Sequence, residues 1–338
     1  MIWLKRAFSL VLLAILIYLF WPLAKELHNL ANVFRLADWN WILVALILQF
    51  ISYSLLANLN TTLLRPFKGK INFWSMMTIL PAIAFMEVTI PSAGASGLVV
   101  RVRLLGKKGF SAESSTFTAA MEQVFLGVVM GIVALLGLWY MLKAGEIKTF
   151  QIVLLVMLIM ILFLASSVAI WLVRDRDRLK KVSLWLNHRI NQWLVRHKKQ
   201  ALPDATVVRR VDEFYVGFIQ LRKQPLLPYF LLALGRVSLD IASMGACFIA
   251  FHFNISIGIL LTGYGLMLLI SGFAALPGGL GMADLSLSII FARLGAPGAV
   301  AVAAALIYRL IAWWLVRFAG FISWQYLETD YAKRPLNR

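Results

Sequence analysis

Residues 276–310 read LPGGLGMADLSLSIIFARLGAPGAVAVAAALIYRL, and the organisation of the chain follows from this stretch. An apolar run that starts near Ile257 meets Pro277, which lacks a backbone donor, and then Gly278, Gly279 and Gly281, which release the backbone. A helix is predicted to unwind there and a short one to begin near Asp284. At about 1.5 Å per residue the segment 281–294 reaches only about 20 Å, too short for a hydrocarbon core of about 30 Å. It reads as a re-entrant hairpin. Irregular backbone at membrane depth is tolerated only where protein buries it or it lines a watery cavity, and broken helices of this kind form transporter sites.

An earlier stretch repeats the pattern. Residues 90–124, IPSAGASGLVVRVRLLGKKGFSAESSTFTAAMEQV, place Pro91 on Pro277, Gly109 on Gly295 and Gln123 on Arg309 at a shift of 186 residues. Break, small residues, short segment, second break and long apolar helix follow in the same order, with Gly94 and Gly97 as the small residues. The reading is an internal repeat, with a first hairpin at 71–140 and a second at 257–326.

With 61% hydrophobic residues, the chain cannot be an ordinary soluble domain. It reads as one integral membrane domain over 1–338. The net charge of +18 is carried by loops beside apolar spans, where the positive-inside rule and anionic lipid account for it, and nucleic acid is not expected as a partner. The single cysteine, Cys247, lies in an apolar span and reads as packing. His28, His188, His197 and His252 have no metal-ligand spacing, and no metal or cofactor is expected. The chain carries no HExxH, GxSxG or Walker motif, so nothing marks it as an ordinary hydrolase or NTPase.

Lys5 and Arg6 precede an apolar helix at 7–20 that lacks a clear cleavage site and is expected to stay. Further spans are predicted at 41–64, 111–140, 149–173, 228–251 and 298–326, with apolar elements at 71–90 and 257–276 leading into the breaks. Residues 174–224 hold 13 Lys/Arg against 5 Asp/Glu and two amphipathic stretches separated at Pro203. They fit either a helix lying on an anionic surface or a helical hairpin packed on the spans, and they are a possible docking site for a protein partner. If the element at 71–90 crossed fully, this basic loop would lie outside. If both broken elements turn back, six full crossings remain and every basic loop and both termini fall in the cytoplasm. The second arrangement is preferred, and it makes the two hairpins face opposite sides. The fold class is therefore all-α, a polytopic helical membrane protein with about six full crossings and two re-entrant hairpins in an inverted repeat.

Ionisable residues within spans are expensive and are functional candidates by default. Asp240 lies about 18 Å beyond Pro228, Arg309 about 16 Å beyond Gly298 and Glu122 about 15 Å beyond Ala112, all near the midplane. Arg236 and Asp240 are four apart and can pair. Arg236, Asp240, Asp284, Arg309 and Glu122 are expected to line a polar cavity between the hairpins, with Arg101 and Arg103 near its cytoplasmic mouth. Arginine suits a lipid phosphate because its planar fork binds two oxygens and stays charged. Arg317 sits near a span end and reads as a snorkelling anchor. Tyr264, Tyr308, Trp313 and Trp314 read as packing or interfacial anchors, with headgroup contact the other option.

The two breaks, PGGLG at 277–281 with the acidic Asp284 after it, and AAALIYRL at 303–310 together resemble the lysylphosphatidylglycerol synthase membrane-domain family, whose members are described as flippase-like. Leu98 stands where that pattern has a carboxylate, and Gln123 stands where arginine often follows Glu122. The cytosolic aminoacyl-transferring domain of the full-length synthases has no counterpart here, so lipid aminoacylation is not implied. The resemblance implies a lipid transporter for an anionic phospholipid or a polyprenyl- or hopanoid-type lipid in a bacterial inner membrane. Its rivals are an intramembrane transferase acting on a lipid and a membrane subunit that docks another enzyme. No spacing assigns a catalytic residue, an energy source or an oligomeric state.

Overall fold

The computed structural model describes residues 37–89, 95–144, 175–196, 203–273 and 282–333, with a few single helical positions at 35, 156, 160, 164, 167, 168 and 171. All regular elements among them are helical. They are α1 (Trp39–Leu64), α2 (Phe73–Thr89), α3 (Ala95–Gly106), α4 (Ala112–Ala144), α5 (Arg176–Arg196) and α6 (Asp204–Arg222). Then come α7 (Leu227–Ile249), α8 (Ile257–Phe273), α9 (Met282–Arg293), α10 (Gly298–Arg309), a π-helical turn at Leu310–Trp314, and α11 (Leu315–Lys333). The predicted breaks at Pro91, Gly94, Pro277, Gly278, Gly279 and Gly281 lie outside the described residues, as do the helix at 7–20 and most of the span at 149–173, whereas Gly97, also predicted as a break, lies within the helix α3.

Four described stretches are long and apolar enough to cross a membrane: Trp39–Leu64, Ala112–Gly137, Leu227–Ile249 and Gly298–Thr329. They match four of the predicted crossings. Phe73–Thr89 and, as far as it is described, Ile257–Met267 are shorter apolar stretches. Leu43, Ile47 and Phe50 on α1, Leu135 and Trp139 on α4, and Phe318 and Ile322 on α11 are exposed. Large apolar side chains in that density on the outside suit lipid rather than water as the solvent.

The centre of the bundle is α1 against α7. Asp38 caps α1 by accepting from the Asn40 amide at 3.0 Å, and its own amide donates to the Ala250 carbonyl at 2.8 Å. Ser243 Oγ donates to Ala45 O at 2.9 Å, and Ser52 Oγ donates to Arg236 O at 2.8 Å. As the chain advances along α1 its partners retreat along α7, so the two helices run antiparallel.

Around this pair the halves exchange contacts. α2 packs on α11, where Gly320 admits the Pro81 carbonyl and Phe85 meets Phe321 edge-to-face at 5.5 Å. α8 packs on α4, where Thr262 Oγ1 donates to Gly137 O at 3.1 Å, and a Cβ on Gly137 would lie 2.9 Å from the Thr262 nitrogen.

The turn after α3 and the turn after α9 have one construction. Phe110 N donates to Leu105 O at 3.2 Å, and Ala296 N donates to Phe291 O at 3.0 Å. Gly109 and Gly295 hold φ of +85° and +102°, a region that a side chain resists. Each of these pairs is 186 residues apart, the offset read from the sequence.

For residues 174–224 the packed hairpin is the arrangement found. α5 lies on α6, and α6 docks on α4 through the Phe214–Phe117 edge contact at 5.3 Å and the Arg210–Glu113 pair at 3.5 Å. Trp185 and Leu186 of α5 stay exposed. The last helix departs from the predicted 298–326. It extends to Lys333 and widens into a π turn directly after Arg309, a feature that recurs at functional sites.

Candidate functional site

Two polar clusters interrupt the apolar interior, one in each half. In the first, α3 carries Arg101 inward, where it ion-pairs with Glu122 of α4 and donates to Asn60 Oδ1 of α1 at 3.0 Å. Arg101 and Glu122 are each 7% exposed. Such a pair repays its desolvation only when the remaining hydrogen-bonding sites are also satisfied, which is the part Asn60 plays. Asn60 is itself oriented by donating through Nδ2 to Leu56 O at 3.0 Å.

A cavity of about 510 Å³ opens beside this pair, lined by Glu87, Arg101, Glu122, Gln123, Thr116 and Tyr53 on its polar side and by Leu56, Leu80, Ile83 and Leu98 on its apolar side. Gly97 also borders it, and any side chain there would collide with the Glu87 carboxylate. Glu87 lies in the electrostatic field of Arg317, Arg101 and Glu122. With Arg101 paired to Glu122, Glu87 is the lining carboxylate without an ion pair among the described residues.

The second cluster is centred on Asp240 of α7, which is 5% exposed. It accepts from Tyr264 OH of α8 at 2.6 Å and from Tyr308 OH of α10 at 3.1 Å, and it ion-pairs with Arg236 at 3.3 Å. Arg236 also donates to Ser52 Oγ of α1. Ser52 and its neighbour Tyr53 join the clusters, because Tyr53 lines the first cavity and lies in the field of Arg317, Arg236 and Glu122.

The single cavity expected from the sequence is thus two adjoining clusters. Arg236 and Asp240 form the predicted pair, and Glu122 belongs to the other cluster. Arg101 lines the first cavity with its guanidinium turned to Glu122. Arg103, two residues on, faces the opposite way and pairs with Glu328 at 2.8 Å beside the Trp324 ring. Arg309 is 9% exposed and lies 5.0 Å from the Trp313 ring centre, with the Arg317 guanidinium 4.2 Å from the same ring. Asp284 falls in the first turn of α9.

Arg317 is therefore no snorkelling anchor. α11 continues well past it, and it reaches inward toward Tyr53 and Glu87. Sequence reasoning also left out Asn60, Tyr53 and Glu87 as site residues. The signal for Asn60 and Glu87 was present, since each is a polar residue in an otherwise apolar run. Tyr264 and Tyr308 read as packing, and packing they are, with Asp240 as the partner that their hydroxyls require.

The chain is thus a polytopic helical membrane protein with a polar cavity beside the buried Arg101–Glu122 ion pair. The family model for the lysylphosphatidylglycerol synthase TM region matches residues 4–320, and the protein belongs to that family. Among curated proteins it is similar to a UPF0104 membrane protein of Methanothermobacter thermautotrophicus, 24% identical over 329 residues that cover 92% of each chain. It is also similar to a UPF0104 membrane protein of Archaeoglobus fulgidus, 22% identical over 311 residues that cover 90% of this chain and 92% of the other.

Proposed function

We propose that the protein is a flippase-like transporter that moves an anionic phospholipid or a polyprenyl- or hopanoid-linked lipid between the leaflets of a bacterial inner membrane, with both termini cytoplasmic. The observation that carries this reading is the two-sided cavity at Glu87, Arg101 and Glu122. Its polar side suits a headgroup, Arg101 suits the phosphate, and its apolar side continues past the exposed Leu98 and Val99 toward lipid, where acyl chains stay. Two re-entrant hairpins in an inverted repeat complete the proposal. Antiparallel packing of α1 on α7 and the shared offset support it, because a two-fold axis in the membrane plane sets equivalent helices head to tail. The family description names synthases of a phospholipid, which supports a lipid ligand.

The test is headgroup accessibility of fluorescent phosphatidylglycerol in proteoliposomes, comparing wild type with Glu87→Gln. The substitution keeps the shape and the ion pair and replaces the one unpaired carboxyl of the cavity with a neutral amide. Loss of about 1.4 kcal/mol or more of stabilisation along the path corresponds to movement at least about tenfold slower with unchanged thermal unfolding. Equal rates in wild type and variant would reject the cavity as the route.

A further inference from the structure

A second cavity, of about 740 Å³, lies at the end of the bundle where the α1–α2 loop meets the turn after α3. Three cations converge on it from two segments far apart in sequence: Arg65 and Lys70 of the loop after α1, and Lys108 of the turn after α3. Asn58, Thr61 and Asn72 add neutral polar groups, and no carboxylate is part of the lining. Among the described residues none of the three cations has an ion-pair partner. Two nearby cations outside the cavity differ, since Arg103 is paired with Glu328 and Arg210 with Glu113.

The convergence is built by the backbone. Lys70 N donates to Lys108 O at 3.2 Å, fixing two lysines far apart in sequence on adjacent strands of chain. Gly69 lets the loop approach that closely, because a Cβ there would lie 2.5 Å from the Phe110 ring. Asn72 Oδ1 accepts from Ser75 N at 2.8 Å and so caps α2, whose positive N-terminal end opens on the same cavity. Loop lysines that only orient a membrane protein need proximity to lipid and nothing more. Here a roomy cavity with no lining carboxylate collects two of them together with Arg65, and Lys68 of the same loop is left out of it.

We infer that this cavity binds a phosphate-bearing anion, a phosphomonoester or diphosphate, at a site separate from the Glu87–Arg101–Glu122 cavity. The inference stands whether or not the lipid-transport reading holds. Lysines act on phosphate as mobile point charges, which suits a group presented from different angles, such as a lipid headgroup at the bilayer surface. A free phosphate or diphosphate offers the same oxygens.

The experiment uses the full chain in detergent and native mass spectrometry with dihexanoyl phosphatidic acid, dihexanoyl phosphatidylcholine and inorganic pyrophosphate. Phosphatidic acid is expected to bind wild type more tightly than phosphatidylcholine. Removing two charge-assisted contacts in Lys70→Gln/Lys108→Gln should weaken it about tenfold or more. Lys68→Gln, which removes a charge outside the cavity, should change it by less than about twofold. Gly69→Ala retains every charge and should weaken binding by forcing the loop off Phe110. Displacement of the lipid by pyrophosphate at similar concentration would name a free anion as the ligand, and resistance to it would name the lipid phosphate. Equal retention of the two lipids, or a Lys68→Gln loss matching that of the double variant, would overturn the site and leave the loop with a topological role alone.

Discussion

Glu122 in the first half and Tyr308 in the second stand at equivalent positions, 186 residues apart, and both are buried in polar clusters. Glu122 holds a charge against Arg101, whereas Tyr308 donates a hydroxyl to Asp240. The counterpart of Arg101 is the buried Leu287, and the counterpart of Asp240 is Ser54, which only donates to Phe50 O of its own helix. The backbone plan is therefore duplicated while the charges are not. In the first half they sit on α2, α3 and α4, beside a cavity; in the second they are led by α7 and closed off by two tyrosines and an arginine. The loops differ as well. Arg65, Lys68 and Lys70 follow α1, but 251–256 after α7 contains no lysine or arginine. Opposite placement of the two loops relative to the membrane would account for that, since cations are retained on the cytoplasmic side.

Breaking the charged cluster should have the largest effect. Glu122→Ala leaves Arg101 buried without its carboxylate and is expected to cost about 3–5 kcal/mol in thermal or denaturant unfolding of the purified protein. Arg101→Met combined with Glu122→Leu should recover most of that stability while abolishing lipid movement. A double variant as unstable as the single one would mean that the pair is needed for folding, and the contrast between the halves would lose its functional sense.

Asp240→Asn should act less strongly. The amide oxygen still accepts from one tyrosine, and Arg236, which loses its carboxylate, is more exposed than Arg101 and keeps Ser52 Oγ as a partner, so the loss is about 1.5–3 kcal/mol by the same measurement. If Asp240→Asn instead matched Glu122→Ala, the second cluster would be as dependent on charge as the first.

The smallest effects test the shared scaffold. Gly109→Ala and Gly295→Ala each force a side chain into a left-handed turn and should each lose about 1–2 kcal/mol. Matching losses would support equivalent construction of the two turns, and a large disparity would argue that the repeat is only approximate there.

Much of the fold was legible because its signals are local. Apolar run lengths give the spans, Pro203 separates two amphipathic helices, and the paired glycines at 109 and 295 mark turns whose φ only glycine adopts readily. Arg236 and Asp240 were legible as a pair for the same reason, since one helical turn sets their distance.

Side-chain partnerships across helices were not. Arg101 and Arg103 look alike in sequence, yet the rotation of α3 sends one to Glu122 and the other to Glu328. Arg317 looked like an anchor because depth was counted from an assumed helix end, and α11 runs further. By itself the sequence determined a multi-pass helical membrane chain and the 186-residue offset shared by its two glycine turns, since hydrophobicity and backbone freedom act residue by residue. Only the tertiary structure decided which buried charges meet, that they form two clusters instead of one, and which of them face a cavity, because each of those depends on the rotation and register of helices far apart in the chain.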